Sequence, residues 1–280
     1  MALFLGMDGG GSGCRARIVD ETGRVIGQAE GGPANIVSDL ASAQDNLLAC
    51  ARKALGEAGD LKDLHAVLGL AGANVGHVAE ALHAALPFRS ARILSDAVIA
   101  LRGALGARDG ILAALGTGSV FAVQRAGEMR QIGGWGLVLG DEGSGGWIGR
   151  ALLTRALHAY DGRVEMTPLL RAVLDEARGP EHLVDRMRLA PPSGFATYAR
   201  RVIEAPDDGA ARAVLAAADE TIAEAIADLQ QGAALPVCFT GGLGAVFAHR
   251  LEGRLGAPVL PAQGSGLDGA VALALAEGVR

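Results

Sequence analysis

The fold is decided by the stretch Leu3-Phe4-Leu5-Gly6-Met7-Asp8-Gly9-Gly10-Gly11-Ser12-Gly13. Its apolar first half predicts a buried strand, and its second half predicts a glycine loop directly after that strand. A second strand is predicted at Cys14–Asp20, followed by the turn Glu21-Thr22-Gly23 and a third strand at 24–29. The sequence therefore predicts a three-stranded meander whose first turn consists mostly of glycine.

The same pattern returns at Gly110–Leu115, a predicted strand that runs into the loop Gly116-Thr117-Gly118-Ser119 and two further short strands at 120–124 and 129–133. Helical segments that alternate with single buried strands follow each meander, which indicates sheets covered by helices. We predict an α/β fold with a duplicated βββαβαβα pattern and a helical insertion in the second copy. The predicted domains are residues 1–105 and 106–280, with the C-terminal helix packing back on the first domain.

Composition excludes several classes of protein. The chain has 280 residues, of which 42 are glycine, and it is 50% hydrophobic and 20% charged, so neither a collagen nor a disordered chain is indicated. A net charge of -6 argues against nucleic acid or an anionic membrane as the main partner. No run of 18 apolar residues predicts a membrane helix, and Cys14, Cys50 and Cys238 fit no zinc or disulfide pattern. We expect a soluble cytoplasmic protein.

The glycine loops predict phosphate binding, because backbone N–H groups can approach an anion where no Cβ stands in the way. Both loops turn into a strand rather than a helix, and the only lysines, Lys53 and Lys62, lie far from them in sequence, which excludes a P-loop. Thr240-Gly241-Gly242-Leu243-Gly244 would let a base or ribose approach the backbone closely. The alternative for each segment is a plain turn.

Two acids, Asp8 and Asp96, end predicted buried strands. Asp96 is predicted to be a general base for a substrate hydroxyl, with a helix N-cap as the alternative. Asp8 leads a phosphate loop, where its carboxylate suits Mg²⁺ through the water shell of the ion.

Gly133–Gly145 combines an aromatic side chain, Trp135, with the acceptors Asp141 and Glu142, as a sugar site requires. Core packing is the alternative for Trp135, and a simple turn is the alternative for the loop amide Asn35. The one formal GxGxxG, Gly264–Gly269, indicates a helix start with Asp268 in its first turn rather than a dinucleotide site.

Together these motifs resemble the sugar kinase/Hsp70/actin ATPase superfamily, and within it the N-acetylglucosamine kinase branch, the BadF/BadG/BcrA/BcrD ATPase family. The resemblance implies two ribonuclease H-like domains with a cleft between them. It also implies phosphoryl transfer from Mg·ATP to the 6-hydroxyl of an amino sugar, N-acetylglucosamine or free glucosamine, and a homodimer. The usual first-motif threonine is Ser12 here, which keeps the hydroxyl.

The resemblance also assigns roles to individual residues. Asp96 matches the catalytic base of the family. The positions that match sugar contacts are Asn35, Asp96, Gly134, Trp135, Gly136 and Asp141. The positions that match ATP contacts are Gly10, Gly11, Ser12, Gly116, Thr117, Gly118, Gly241, Gly242 and Ala245. Asp8 is the expected Mg²⁺ residue.

Two other functions stay open at this point. An ATPase activator that drives electrons through an iron–sulfur cluster would need clustered cysteines, and residues 51–237 contain none. A regulatory ATP-binding protein without sugar chemistry would not need Asn35, Trp135 and Asp141 together.

Overall fold

The computed structural model describes residues 2–278 as a mixed α/β chain with two sheets. The strands are Leu3–Gly9 (β1), Cys14–Asp20 (β2), Val25–Gly31 (β3), Leu64–Leu70 (β4), Ser90–Ser95 (β5), Gly110–Leu115 (β6), Ser119–Arg125 (β7), Glu128–Gly133 (β8) and Val237–Thr240 (β9). The helices are Leu40–Leu55 (α1), Gly76–Ala85 (α2), Asp96–Leu105 (α3), Gly145–Tyr160 (α4), Pro168–Ala177 (α5), Pro180–Met187 (α6), Pro192–Ala196 (α7), Ala199–Ile203 (α8), Gly209–Gln230 (α9), Gly244–Leu251 (α10) and Gly266–Gly278 (α11). Within these residues, no helix is long and apolar enough to cross a membrane.

The first sheet has five strands in the order β3-β2-β1-β4-β5. The meander β1–β2–β3 pairs antiparallel, whereas β4 and β5 join β1 in parallel through helical crossovers. Strand β1 lies in the middle and is almost entirely buried. The glycine loop after β1 therefore leaves the sheet at its centre, beside the ends of β4 and β5, where ligands of α/β folds bind.

The second sheet has the order β8-β7-β6-β9, which repeats the first four positions of the first sheet. The strand predicted at Pro258–Leu260 is wrong as a strand: only a parallel bridge between Val259 and Val237 of β9 forms. Two backbone hydrogen bonds make it, Val237 N–H to the Pro258 carbonyl and Leu260 N–H to the Val237 carbonyl. Proline has no N–H to extend a ladder, and Pro258 begins this segment while Pro261 follows it directly. The bridge nonetheless occupies the place that β5 has in the first sheet.

Contacts divide the chain into two compact units. The first comprises the residues up to Leu112, Ala122–Arg130 and the residues from Pro261 onward, and the second comprises Ala113–Phe121 and Gln131–Leu260. Neither unit is a continuous stretch of chain, whereas the division predicted after residue 105 is continuous. That division stays a prediction.

In the first unit, α11 packs against α3 and β1. Glycines on both helices allow this approach: a Cβ on Gly269 would lie 1.9 Å from the Ile99 carbonyl oxygen, and a Cβ on Gly103 would lie 1.9 Å from that of Ser265. The GxGxxG segment is thus explained by helix packing, and Ser265 and Asp268 hydrogen-bond each other at the start of α11. This packing holds the start of α11 next to β1, since a Cβ on Gly266 would lie 3.3 Å from Oδ2 of Asp8.

Candidate functional site

The first glycine loop is a tight turn anchored to two neighbouring segments. Gly10 N–H donates to the Gly13 carbonyl at 2.9 Å, and the Gly10 carbonyl accepts from Ala34 N–H at 2.8 Å. Ala71 N–H donates to the Gly9 carbonyl at 2.8 Å, directly after β4. The loop therefore has a fixed position beside the segment that carries Asn35, and Gly11 and Ser12 are exposed to solvent.

Asn35 closes a turn of its own. Its Oδ1 accepts hydrogen bonds from Val37 N–H at 3.0 Å and from Ser38 N–H at 3.2 Å, which is an Asx turn. These two hydrogen bonds support the interpretation of Asn35 as a turn residue, and they occupy its amide oxygen. The predicted sugar contact of Asn35 stays a prediction and would have to use the amide Nδ2.

Asp8 is the last residue but one of β1 and forms an ion pair that the sequence interpretation missed. Arg15 Nη2 donates to Asp8 Oδ2 at 2.5 Å. The two residues are directly opposite in the β1–β2 register, so the hairpin itself brings them together. The signal was in the sequence, because the register of so short a hairpin follows from its turn. The carboxylate side chain keeps 20% of its surface exposed.

Asp8 also meets the requirements of the Mg²⁺ site that the family implies. Within residues 2–278, no cluster of three or more His, Cys, Asp or Glu side chains could hold a metal by itself. Mg²⁺ rarely needs such a cluster, because one or two carboxylates with waters and substrate phosphates usually bind it. A partly exposed carboxylate at the start of a loop predicted to bind phosphate fits that mode, although Arg15 would compete with the ion for Oδ2.

Asp96 is the first residue of α3, and the helix cap is its neighbour. Ser95 Oγ accepts from Val98 N–H at 3.3 Å, so Ser95 is the N-cap and the N-cap alternative for Asp96 is wrong. Asp96 Oδ1 accepts from Ala97 N–H at 2.9 Å, and the residue is exposed. The carboxylate of Asp96 can be reached from solvent, but the surrounding protein removes part of its hydration. This desolvation, with the negative charge of Asp8, raises the pKa of Asp96 above that of an ordinary aspartate.

The second unit brings two predicted ATP loops side by side. Leu115, the last residue of β6, accepts a hydrogen bond at its carbonyl from Leu243 N–H at 2.9 Å. Gly241 has φ +83°, and a Cβ there would lie 2.4 Å from the same carbonyl oxygen, so only glycine fits. The loop 116–118 and the turn 241–243 are therefore neighbours, and Thr117, Gly242 and Ala245 are exposed.

The start of α4 holds the loop 116–118 from the other side. Gly145 N–H donates to the Gly116 carbonyl at 2.8 Å, and Gly146 N–H donates to the Thr117 carbonyl at 3.0 Å. These carbonyls thus point toward the helix. Ser144 caps α4 through Trp147 N–H. The packing fixes the loop and consumes the first N–H groups of α4.

The Gly134–Asp141 loop presents Trp135 to solvent and keeps Asp141 inside. Trp135 is 66% exposed, so core packing does not explain this tryptophan. Gly134 and Gly136 both have positive φ, and Gly136 N–H donates to Asp141 Oδ1 at 3.2 Å. Asp141 itself is 7% exposed with φ +57°. Burial raises its pKa, while hydrogen bonds from backbone N–H groups oppose that rise.

Asp141 therefore holds the loop that presents Trp135. A Cβ on Gly118 would lie 2.7 Å from Asp141 Oδ2, so this carboxylate also packs against the second glycine loop. Ser119 Oγ adds a hydrogen bond to the Glu142 carbonyl at 2.8 Å. The roles of Gly134, Trp135, Gly136 and Asp141 as sugar contacts stay predictions.

Five glycines lie in open surroundings with an ordinary backbone conformation. Among the glycines whose surroundings the structure describes, a Cβ on Gly10, Gly11, Gly76, Gly116 or Gly242 would meet no atom within 4 Å, and none of these has positive φ. Four of the five lie in the loops predicted to bind ATP. The fold does not require glycine at these four positions, and a ligand that approaches the backbone would account for the missing side chains there.

Comparisons with known proteins find related kinases. A glucosamine kinase from Vibrio cholerae is 34% identical over 183 residues, which are 62% of this chain and 61% of that protein. An N-acetylmuramic acid/N-acetylglucosamine kinase from Clostridium acetobutylicum is 33% identical over 190 residues, 65% of this chain and 62% of that protein. The matches span about three fifths of the length of these two curated relatives.

A solved structure from Chromobacterium violaceum, whose name proposes an N-acetylglucosamine kinase, is 32% identical with a TM-score of 0.85. The likeness covers 98% of this chain and 99% of that one. The predicted fold, two duplicated ribonuclease H-like parts, is confirmed by this likeness and by the repeated strand order of the two sheets. Residues 5–250 match a single family over nearly the whole chain. The chain belongs to the BadF/BadG/BcrA/BcrD ATPase family.

Proposed function

We propose that the protein is an ATP-dependent amino-sugar kinase that converts N-acetylglucosamine and ATP to N-acetylglucosamine 6-phosphate and ADP, with free glucosamine as the alternative substrate. The observation that carries this proposal is the set of glycines in open surroundings, Gly10, Gly11, Gly116 and Gly242, in three loops at strand ends. The names of the two curated relatives support amino sugars as the substrate class.

In this proposal, backbone N–H groups of the loops 9–13 and 116–118 bind the ATP phosphates, and the turn 241–242 with Ala245 binds the nucleoside. Ser12 and Thr117 are exposed hydroxyl side chains of the phosphate loops. Asp8, with Arg15 as its partner, would hold Mg²⁺ through water. When bound, the ion neutralises charge on the phosphates of the nucleotide.

Asp96 accepts the proton of the sugar 6-hydroxyl as this oxygen attacks the γ-phosphate. The pKa of Asp96 is higher than that of an ordinary aspartate and therefore lies closer to neutral pH, which makes the carboxylate a better proton acceptor. Trp135 supplies an exposed apolar face for the sugar ring. The hydrogen bond from Gly136 N–H to Asp141 holds the loop that carries this tryptophan. Most of the rate enhancement would come from positioning and charge stabilisation.

The experiment that tests the proposal is ADP release with a panel of sugars: N-acetylglucosamine, glucosamine, N-acetylmannosamine and glucose. Stimulation by one of the two glucosamine compounds, well above the others, is the expected result. ADP release that no amino sugar stimulates would contradict the proposal and favour a regulatory ATP-binding protein. Omission of Mg²⁺ in the same assay tests the metal requirement.

Replacing an open glycine of the predicted ATP loops by alanine should weaken ATP binding without destabilising the fold. Gly10→Ala and Gly242→Ala are each expected to raise KM for ATP roughly tenfold, which corresponds to about 1.4 kcal/mol, because the new methyl group stands where the nucleotide approaches. The free energy of unfolding should stay the same or rise slightly, since neither glycine has positive φ or a close neighbour. Steady-state kinetics and urea unfolding measure the two effects.

Gly76→Ala is the matched control for these variants, because Gly76 has the same open surroundings but lies at the start of α2, outside the predicted loops. Its KM for ATP should equal that of the wild type. If Gly76→Ala and Gly10→Ala raised KM equally, the interpretation of the open glycines would be wrong.

The pH dependence of kcat/KM for the sugar should show the shifted Asp96. Desolvation and the charge of Asp8 raise its pKa, so the proton-accepting form is lost as pH falls through a value above the ordinary aspartate range. We expect full activity near neutral pH and an acid limb that begins at higher pH than an unperturbed aspartate would give. The profile is measured at saturating Mg·ATP, and an acid limb in the ordinary range would contradict the assignment.

A further inference from the structure

We propose that Cys14 and Cys50 form a redox-active dithiol that a hydroperoxide converts to an intramolecular disulfide. The spacing of the cysteines indicated no disulfide, because the two residues are 36 positions apart on different elements. The fold of the first unit brings them together: Cys14 begins β2, and Cys50 lies in α1, which packs on β2 and β3.

Both cysteines pack around one glycine. Gly31 lies opposite Cys14 in the β2–β3 register. A Cβ on Gly31 would lie 2.8 Å from Cys14 Sγ and 3.0 Å from Cys50 Cβ, so the missing side chain leaves the space into which both cysteines project. Cys50 Sγ also lies 4.0 Å from the carbonyl oxygen of Cys14. The two side chains are therefore neighbours in the core, and each is 2% exposed.

The two thiols also change each other's protonation. The Cys50 thiol raises the pKa of Cys14, whereas the hydrogen bond from the Cys14 thiol lowers the pKa of Cys50, and the charge of Lys53 adds to that lowering. A hydrogen bond between the side chains places the sulfur atoms within reach of each other. Because the thiolate is the nucleophile toward a hydroperoxide, Cys50 is the sulfur that reacts first.

The reaction needs only the two thiols and the hydroperoxide. The Cys50 thiolate attacks an oxygen of hydrogen peroxide and breaks the O–O bond, which oxidises the sulfur to a sulfenic acid and releases water. The Cys14 sulfur then attacks the sulfenic sulfur, the S–S bond forms, and the hydroxyl group leaves with the thiol proton as a second water. The peroxide is the electron acceptor, and no other oxidant or reductant takes part.

The position of Cys14 gives the reagent an approach to this buried pair. Cys14 directly follows the first glycine loop, where Gly11 and Ser12 are exposed and the bond from Gly10 N–H to the Gly13 carbonyl closes the turn. Local opening of a surface turn costs much less free energy than global unfolding. Opening of this turn would uncover Cys14 while α1 stays in place.

Peptide mapping of the unmodified protein tests the proposal. The reduced protein is exposed to hydrogen peroxide, catalase destroys the excess, and the remaining thiols are alkylated in denaturant before proteolysis without reductant. We expect a cross-linked pair of peptides that contains Cys14 and Cys50 and has lost both thiol hydrogens. Cys238 should be recovered in its alkylated form, because it lies on β9 of the second unit and burial raises the pKa of its thiol.

Three results would overturn the proposal. Alkylation of both Cys14 and Cys50 after the peroxide treatment would show that the pair is not redox-active. Separate sulfinic acids at the two positions, or disulfides between two copies of the chain, would show that the sulfurs oxidise without reaching each other. The mapping needs no turnover, so each result is independent of whether the protein phosphorylates amino sugars.

A matched pair of variants adds a second measurement, the loss of titratable thiols on peroxide treatment. Cys50→Ala should lose none, whereas Cys238→Ala should lose both of its remaining thiols as the wild type loses those of Cys14 and Cys50. Both variants replace a buried cysteine by the smaller alanine, so they share the packing cost of that change. Equal thiol loss in the two variants would overturn the assignment of Cys50.

Discussion

Asp96→Asn is expected to lower kcat by roughly 10²–10⁴-fold, the usual contribution of a general base. The amide keeps the size of the side chain and an acceptor oxygen for the Ala97 N–H bond, so α3 should begin in the same way. What it loses is the ability to take a proton. The raised pKa and the exposure of Asp96 make it the carboxylate of the first unit best suited to that step.

ATP binding by Asp96→Asn must be measured as well as its turnover. Affinity for ATP, measured by calorimetry or by a fluorescent analogue, should stay within about twofold, since Asp96 is not assigned to the nucleotide. Asp39→Asn is the matched control: Asp39 is the exposed N-cap of α1, and asparagine caps a helix as well as aspartate does. Near-normal turnover of Asp96→Asn would show that another group accepts the proton.

The fold could be predicted in large part from the sequence because strand, glycine loop and strand occur twice at the same points. That repetition appears in the structure as the same order of four strands in each sheet. The strand predicted at 258–260 does not form, and the cause is local. Apolar residues indicated a strand, but Pro258 and Pro261 leave only the bridge at Val259.

The site could be predicted only as a set of positions. The sequence shows that Gly10 and Gly269 both belong to glycine-rich motifs, yet a Cβ on Gly10 meets nothing and a Cβ on Gly269 meets backbone. Whether a glycine serves packing or a ligand depends on neighbours that are distant in sequence. The Asp8–Arg15 pair has a different cause: the two residues are close in sequence, and the pair was missed because the register of the β1–β2 hairpin was not worked out from its turn. Which amino sugar the proposed site would accept depends on side-chain positions around Trp135 and Asp141, and no spacing along the chain reveals these positions.

Gly269→Ala is expected to destabilise the first unit by roughly 3 kcal/mol or more, although alanine is the better helix former by about 1 kcal/mol. The added methyl group would lie 1.9 Å from the Ile99 carbonyl oxygen and 2.5 Å from the Gly103 nitrogen. Both are backbone atoms of α3, so no side-chain rotation relieves the overlap and the two helices must separate. Separation uncovers the buried residues that α11 shares with β1 and β4, among them Phe4, Val67 and Ala270.

Urea and thermal unfolding measure this loss, and Gly76→Ala is again the control, because the same substitution in open space should leave stability unchanged or raise it. Wild-type stability of Gly269→Ala would mean that α11 is not packed against α3 as closely as the structure has it. The result also bears on the site: α11 begins beside Asp8, where a Cβ on Gly266 would lie 3.3 Å from the carboxylate oxygen. A displaced α11 should therefore weaken Mg²⁺-dependent turnover in whatever fraction of Gly269→Ala remains folded, whereas the stable Gly76→Ala should keep it.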